Sequence, residues 1–329
     1  MEEDGKGRVC VTGGTGYVAS WLIMRLLEQG YSVTTTVRSV PVLGKRDLSF
    51  LTNLPGASER LKIFTADLSQ PETFESAVEG CTGVFHLATP VDFQDKESIE
   101  VITERSLNGT LGLLKACLRA KTVNRVVYTG SITALAFSGK DVEEIDESCW
   151  SDLEFIRKTK LFGGSYETSK TSTEMAASKF AEENGLSLIT IIPTYIIGPF
   201  ICPNLPSSIT NTMAMVFGEK EQYKYLMNTS LVHVDDVARA HIFLLEYPHA
   251  KGRYICSSQA LTLEEMSEFL STKYPEFPIP TGECLAEIKG FKMPKISSKK
   301  LLDTSFKYKY GLDEMFDQAI QCCKEKGYL

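Results

Sequence analysis

The chain has 329 residues, 43% of them hydrophobic and 23% charged, the ordinary composition of a globular protein. Its net charge of −7 and pI near 5.4 exclude the basic footprint of a nucleic-acid binder. No apolar run reaches the roughly 20 residues needed to cross a membrane, and the acidic stretch MEEDGKGR is expected to be neither a secretory signal nor a transit peptide. Nine cysteines, odd in number and without C-x-x-C spacing, read as reduced thiols, and four scattered histidines lack metal-ligand spacing. The expectation is a cytoplasmic protein with neither metal nor membrane partner. The sequence does not specify an oligomeric state.

Residues 8–20, RVCVTGGTGYVAS, read as a buried strand, a glycine-rich turn and a helix. Gly13, Gly16 and Ala19 stand at the spacing of a G-x-x-G-x-x-[GA] turn. Such a turn brings backbone N–H groups and the positive end of the new helix toward a phosphate. Trp21, Leu22, Leu26 and Leu27 make the helix amphipathic, and Gly30 stops it. A second strand at 31–37 ends beside Arg38. Where an acid would meet a free ribose 2′-hydroxyl, a guanidinium here matches a 2′-phosphate, with Lys45 soon after, so NADPH/NADP⁺ is the expected cofactor.

Strands and helices then alternate: a strand at 61–66 ending at Asp67, a helix at 71–79, a strand at 83–88, a long helix from about 97 to 120 and a strand at 124–129. This alternation predicts an α/β fold, a Rossmann-type doubly wound parallel sheet with ligands beyond the strands' carboxyl ends. Asp67, the Leu87–Ala88–Thr89 turn and Ser131 all fall at such ends, and His86 reads as a buried strand residue. Residues 136–164 lose the pattern and suit a loop with a short helix. An amphipathic helix at 166–183 and a strand at 186–192 follow. Beyond Phe200 come a helix at 207–217, a strand and helix over 231–246, a return to the sheet near 253–257, and helices at 263–274 and 312–326. The expected division is a dinucleotide-binding domain of 1–198 and 229–257, with a smaller substrate lobe of 199–228 and 258–329.

Tyr166 and Lys170, four apart on a helix, share one face. A phenol titrates near pH 10, and an ammonium beside it would lower that value and let Tyr166 exchange protons. A hydroxyl on the preceding strand would bond the substrate oxygen; Ser131, Thr129 and Thr133 all qualify by spacing.

The stretches TGGTGY, TVR, ADL, FHLATP, Y-x-x-x-K and IIPTYIIGPF resemble the extended short-chain dehydrogenase/reductases, and the chain resembles the plant dihydroflavonol 4-reductase family over nearly its full length. That resemblance implies NADPH-dependent reduction of a ketone on a bulky polycyclic small molecule, isoflavanone-like or alkaloid-like. It makes Ser131 the hydroxyl that polarises the carbonyl and Tyr166 the proton donor, with Lys170 tuning Tyr166 and holding the nicotinamide ribose. Gly13, Thr15, Gly16, Tyr17 and Val18 would form the phosphate turn, Arg38 and Lys45 the 2′-phosphate site, and Asp67 with Leu68 the adenine site. Leu87, Ala88, Thr89, Pro193, Ile196 and Ser208 would line the rest.

Departures from the family are visible. The serine strand reads YTGSIT, with Gly130 where a serine is usual, and Ala136 stands where dihydroflavonol reductases often carry an Asn. SYETSK lacks the block typical of cinnamoyl-CoA reductases, against a coenzyme A thioester. YVASWLIMRLLE resembles relatives that oxidise a hemiacetal in alkaloid metabolism, so an NADP⁺-dependent dehydrogenase is the alternative. A dinucleotide-sensing protein without catalysis would not need the Tyr/Lys/Ser set, which is present here.

Overall fold

The computed structural model describes residues 6–38, 47–90, 97–159 and 164–329. Its strands, in chain order, are β1 (Arg8–Thr12), β2 (Ser32–Val37), β3 (Leu61–Thr65), β4 (Gly83–His86), β5 (Arg125–Thr129), β6 (Glu144–Ile145), β7 (Leu188–Pro193), β8 (Tyr195–Ile197), β9 (Asn228–His233), β10 (Gly252–Cys256), β11 (Gln259–Thr262) and β12 (Lys295–Ile296). Among the described residues seven of them pair in the order β10-β7-β5-β4-β1-β2-β3, every neighbour parallel. Val9, Val11, Phe85, Val127 and Ile191 are fully buried, as continuous apolar strands covered on both faces must be.

One face of the sheet packs against the Tyr17–Glu28 and Val234–Glu246 helices through Leu22, Leu26, Val237 and Leu244. The Ile99–Ala120 and Ser165–Asn184 helices pack together, and Leu113, Leu114, Cys117 and Ala177 join the core on the other face. From β1 the chain proceeds outward through β2 and β3. It then returns to the other side of β1 and proceeds outward through β4, β5 and β7. The order therefore reverses between β1 and β4, and a crevice opens at their carboxyl ends. That crevice carries the glycine turn on one lip and Leu87–Thr89 on the other.

The stretch 229–257 divides. β10 pairs with β7 at the edge of the large sheet, whereas β9 pairs parallel to β8 and antiparallel to β11 in a separate three-stranded sheet. A second core of Ile197, Phe200, Met213, Leu226, Met266 and Phe316 lies around that small sheet. The expected helix at 207–217 is two short ones, Ser207–Thr212 and Ala214–Phe217, meeting at Met213. The expected helix at 71–79 begins as a 3₁₀ turn, Pro71–Phe74, before Glu75–Val78.

The Ser165–Asn184 helix lacks the apolar stripe that an amphipathic reading requires. Thr168, Ser169, Lys170, Thr171, Thr173 and Glu174 are all buried on it; Lys170, Thr173 and Glu174 meet polar partners on other elements, and Thr171 Oγ1 donates back to the Glu167 carbonyl. Thr173 Oγ1 donates to Ser106 Oγ at 3.0 Å from the neighbouring helix.

Candidate active site

The glycine turn is built to approach another group closely. Gly13 has φ of +73°, and a Cβ there would stand 3.0 Å from Ala88 Cα. Gly14 is as constrained: a Cβ would lie 2.2 Å from Thr35 Oγ1. The Gly13 N–H donates to Thr36 Oγ1 at 3.1 Å and the Gly14 N–H to the Thr36 carbonyl at 2.9 Å, which pins the turn to β2. Gly16 caps the Tyr17–Glu28 helix without a side-chain acceptor, and the first turn carries no acid. A helix start with no protein anion on it is the arrangement that accepts a pyrophosphate. The residues present therefore fit a dinucleotide. Tyr17 and Val18 open the helix, and the Tyr17 hydroxyl donates to the Gly198 carbonyl at 3.2 Å, tying the turn to the loop after β8.

The opposite lip is held by Thr12, which sequence reasoning left out, together with His86. Thr12 Oγ1, at the end of β1, accepts from the Leu87 and Ala88 N–H groups at 3.1 and 3.0 Å and contacts His86 Nδ1 at 2.9 Å. His86 Nε2 meets Thr110 Oγ1 at 2.9 Å; it is buried in the strand, as expected, and burial pushes the imidazole down to about 3, so it is a neutral strut.

From this lip a line of contacts runs to the predicted proton-transfer groups. Thr89 Oγ1 accepts from Lys170 Nζ at 2.9 Å, and the Thr129 carbonyl accepts from the same nitrogen at 3.0 Å. Lys170 Nζ stands 6.0 Å from the centre of the Tyr166 ring. The Tyr166 phenol hydrogen-bonds Ser131. Thr133 Oγ1 in turn donates to Ser131 Oγ at 3.0 Å. The rival hydroxyl is accounted for: Thr129 Oγ1 meets His241 Nε2 at 2.8 Å, while His241 Nδ1 contacts the Val237 carbonyl at 2.8 Å. Thr129 is therefore bound to the helix after β9, and Ser131 is the hydroxyl at Tyr166.

The electrostatics correct one expectation. Burial pushes the Tyr166 phenol above its ordinary value; the Ser131 hydrogen bond opposes this and the nearby Glu167 adds to it. Burial also brings Lys170 down to about 8, with Glu174 holding it up. A phenol raised in this way is a protonated donor at neutral pH.

Of the remaining predicted residues, Arg38, Asp67 and Pro193 stand at or just past the carboxyl ends of β2, β3 and β7. Arg38 is exposed at the end of β2 and acts electrostatically on Asp67. The Asp67 carboxylate is held low first by Ser69, whose Oγ and N–H donate to it at 2.6 and 2.8 Å. Leu68 packs on Gly109, where a Cβ would come within 2.6 Å of its side chain. Ile196 and Ser208 are tied to each other, the Ile196 N–H donating to Ser208 Oγ at 3.0 Å and that hydroxyl donating to the Ile196 carbonyl. Pro193 ends β7. Lys45 lies outside the described residues.

An open groove lined by Trp21, Phe50, Phe200, Cys322 and Lys326 contains none of Ser131, Tyr166 and Lys170. Among the described residues no three His, Cys, Asp or Glu side chains gather as a metal ion would require, and no helix is long and apolar enough to cross a membrane.

Comparison with known proteins agrees with this geometry. The NAD dependent epimerase/dehydratase family matches residues 9–256. The chain is 54% identical to vestitone reductase of Medicago sativa over 326 residues, covering 99% of both chains. The crystal structure of vestitone reductase from alfalfa superposes with a TM-score of 0.90 at 52% identity, covering 98% of this chain and 100% of that one. Noscapine synthase SDR1 of Papaver somniferum is 46% identical over 335 residues, covering 100% of this chain and 96% of its own. The chain therefore belongs to the NAD dependent epimerase/dehydratase family, in the branch of extended short-chain dehydrogenase/reductases that includes vestitone reductase and dihydroflavonol 4-reductase.

Proposed function

We propose that this protein is an NADPH-dependent reductase that converts the ketone of a bulky plant specialised metabolite, isoflavanone-like or alkaloid-like, to an alcohol. One observation carries the reading: an unbroken line of contacts from Gly13 through Ala88, Thr89 and Lys170 to Tyr166 and Ser131. It joins a phosphate-binding turn to a hydroxyl, a phenol and an amine at one crevice. The full-length similarity to vestitone reductase supports the substrate class.

When bound, NADPH supplies the hydride. The turn Gly13, Thr15, Gly16, Tyr17 and Val18 would hold its pyrophosphate, and Arg38, with Lys45, would hold the 2′-phosphate. Asp67 and Leu68 would meet the adenine, while Leu87, Ala88, Thr89, Pro193, Ile196 and Ser208 would line the remainder. Ser131 donates a hydrogen bond to the substrate carbonyl oxygen and stabilises the charge that gathers there. Tyr166, kept protonated by burial, passes its proton to that oxygen. Lys170 holds the ribose hydroxyls as a cation. Residues 136–159 and 200–230 would roof the substrate, the small sheet of β8, β9 and β11 and the core around it serving as the substrate lobe beside the large sheet. Nine free thiols support a reducing, cytoplasmic setting.

The similarity to noscapine synthase SDR1 favours a second reading, NADP⁺-dependent oxidation of an alcohol or hemiacetal by the same residues. A panel of isoflavanones, dihydroflavonols and alkaloid ketones with NADPH, and the matching alcohols and hemiacetals with NADP⁺, separates the two when products are identified. Turnover confined to the NADP⁺ arm overturns the reductase reading.

A further inference from the structure

Tyr166, Lys170 and Glu174 recur every four residues and stand on one face of their helix. The Glu174 side chain is 0% exposed, yet nothing in the proton-transfer set accounts for it. One of its oxygens accepts from Arg253 Nε at 2.7 Å; the other has no hydrogen-bond partner. That second oxygen lies against Gly130, where a Cβ would stand 2.8 Å from it and 3.0 Å from Thr190 Cγ2. The glycine beside Ser131 is thus the residue that leaves room for a buried carboxylate.

Arg253 reaches Glu174 from β10 and is itself fixed. Its Nη1 donates to the Glu147 and Cys149 carbonyls at 3.0 and 2.6 Å, and its guanidinium lies 3.7 Å from the centre of the Trp150 ring. A buried ion pair is roughly neutral for stability against an apolar replacement, so folding alone does not explain it.

One helical turn from Lys170, the carboxylate acts on it electrostatically. The direct partners of Lys170 Nζ, Thr89 Oγ1 and the Thr129 carbonyl, are uncharged. The Tyr128 ring from β5 stands 5.6 Å away, and His86 from β4 is buried and neutral, the lysine's charge adding to burial in keeping it so. Tyr166 and Glu174 face it from its own helix, and Arg253 from β10 is bound to Glu174. We propose that Glu174 is a positioning residue for Lys170: its charge, anchored by Arg253 and admitted by the missing side chain at 130, keeps the lysine cationic in a site dry enough to neutralise it. The proposal rests on the reductase reading, in which a charged Lys170 holds the ribose and supports Tyr166.

Glu174→Gln keeps the shape, removes the charge and leaves Arg253 as an unpaired cation, and both changes push Lys170 toward neutrality. In protein carrying ¹³C-labelled lysine side chains, free of cofactor, the Lys170 resonance is assigned by its loss in Lys170→Arg and titrated by NMR. Its midpoint should fall by on the order of one pH unit in Glu174→Gln and return toward the parent value in Glu174→Asp. The alkaline limb of kcat/KM should move by the same amount, with turnover at pH 6 close to the parent's. Gly130→Ala, which crowds the carboxylate without removing a charge, should move the midpoint in the same direction by less. An unmoved midpoint in folded Glu174→Gln overturns the proposal; if that variant does not fold, an unmoved midpoint in Gly130→Ala does so. Because the midpoint is read without turnover, it can fail while the reductase reading stands, and the reverse.

Discussion

Replacing Gly13 by Ala tests the phosphate turn, and the structure supplies a control for it. At φ of +73° an alanine pays left-handed strain of about 1–2 kcal/mol. Its Cβ would also stand 3.0 Å from Ala88 Cα. Carbon atoms rest about 3.5–4.0 Å apart, so the Ala88–Thr89 lip must retreat by roughly half an ångström. That lip carries the oxygen bonded to Lys170 Nζ at 2.9 Å, and misplacement by about 1 Å costs on the order of 10²-fold in rate. Gly30 has φ of +86° and open space around a Cβ, so Gly30→Ala carries the strain without the collision. Both variants should lose stability in denaturant unfolding, Gly13→Ala the more because its collision adds to the strain. Only Gly13→Ala should weaken NADPH in a fluorescence titration, by about tenfold or more, and lower kcat/KM by a comparable factor. Gly13→Ala binding NADPH as tightly as Gly30→Ala would refute the turn's role.

Arg38→Asp should weaken NADPH by about 10–100-fold, the worth of a charge-assisted phosphate contact, and leave NADH nearly unchanged; equal losses for both cofactors contradict the 2′-phosphate assignment. In the parent protein kcat/KM for reduction should fall as pH rises past about 8, where Lys170 loses its proton in the free protein, while Tyr166 remains protonated throughout that range. A flat profile up to pH 9.5 contradicts it. Asp235, buried on the Val234–Glu246 helix, lies below the usual carboxylate range: burial works against this, but Arg25, Trp21 and Tyr310 together outweigh it. Its contribution is present above the unfolded value near 3.9 and lost as pH falls through the lower folded value. Asp235→Asn should therefore cost about 2 kcal/mol at pH 7 and less at pH 3; a cost independent of pH contradicts the sign.

The large sheet was readable because its strands are apolar on both faces, as Val9–Val11 and Leu188–Ile192 show, and because helices separate them at regular spacing. The small sheet was not: β8 and β11 have three and four residues, too short for periodicity, and β9 reads like a strand of the large sheet. The pairing of Tyr166 with Lys170 was legible as a four-residue spacing. What spacing did not show is that the Thr129 hydroxyl is taken by His241, a residue 112 positions away, while Ser131 meets Tyr166. The direction of the Tyr166 shift was misread because spacing reports a neighbour but not burial, and burial dominates. Gly130 was visible only as a departure; its reason, the Glu174 carboxylate, lies 44 residues downstream. Gly14 passed unnoticed because the motif skips it, although Thr35 leaves it no room for a side chain.

The central claim is that the Tyr166 phenol delivers the proton over a dinucleotide held by the glycine turn, and Tyr166→Phe tests it most directly. Turnover of the best ketone and the NADPH dissociation constant are measured on the same preparation. The account predicts a loss of kcat of about 10²–10⁴-fold with NADPH affinity changed by no more than about twofold. Turnover within tenfold of the parent, with binding intact, would contradict it.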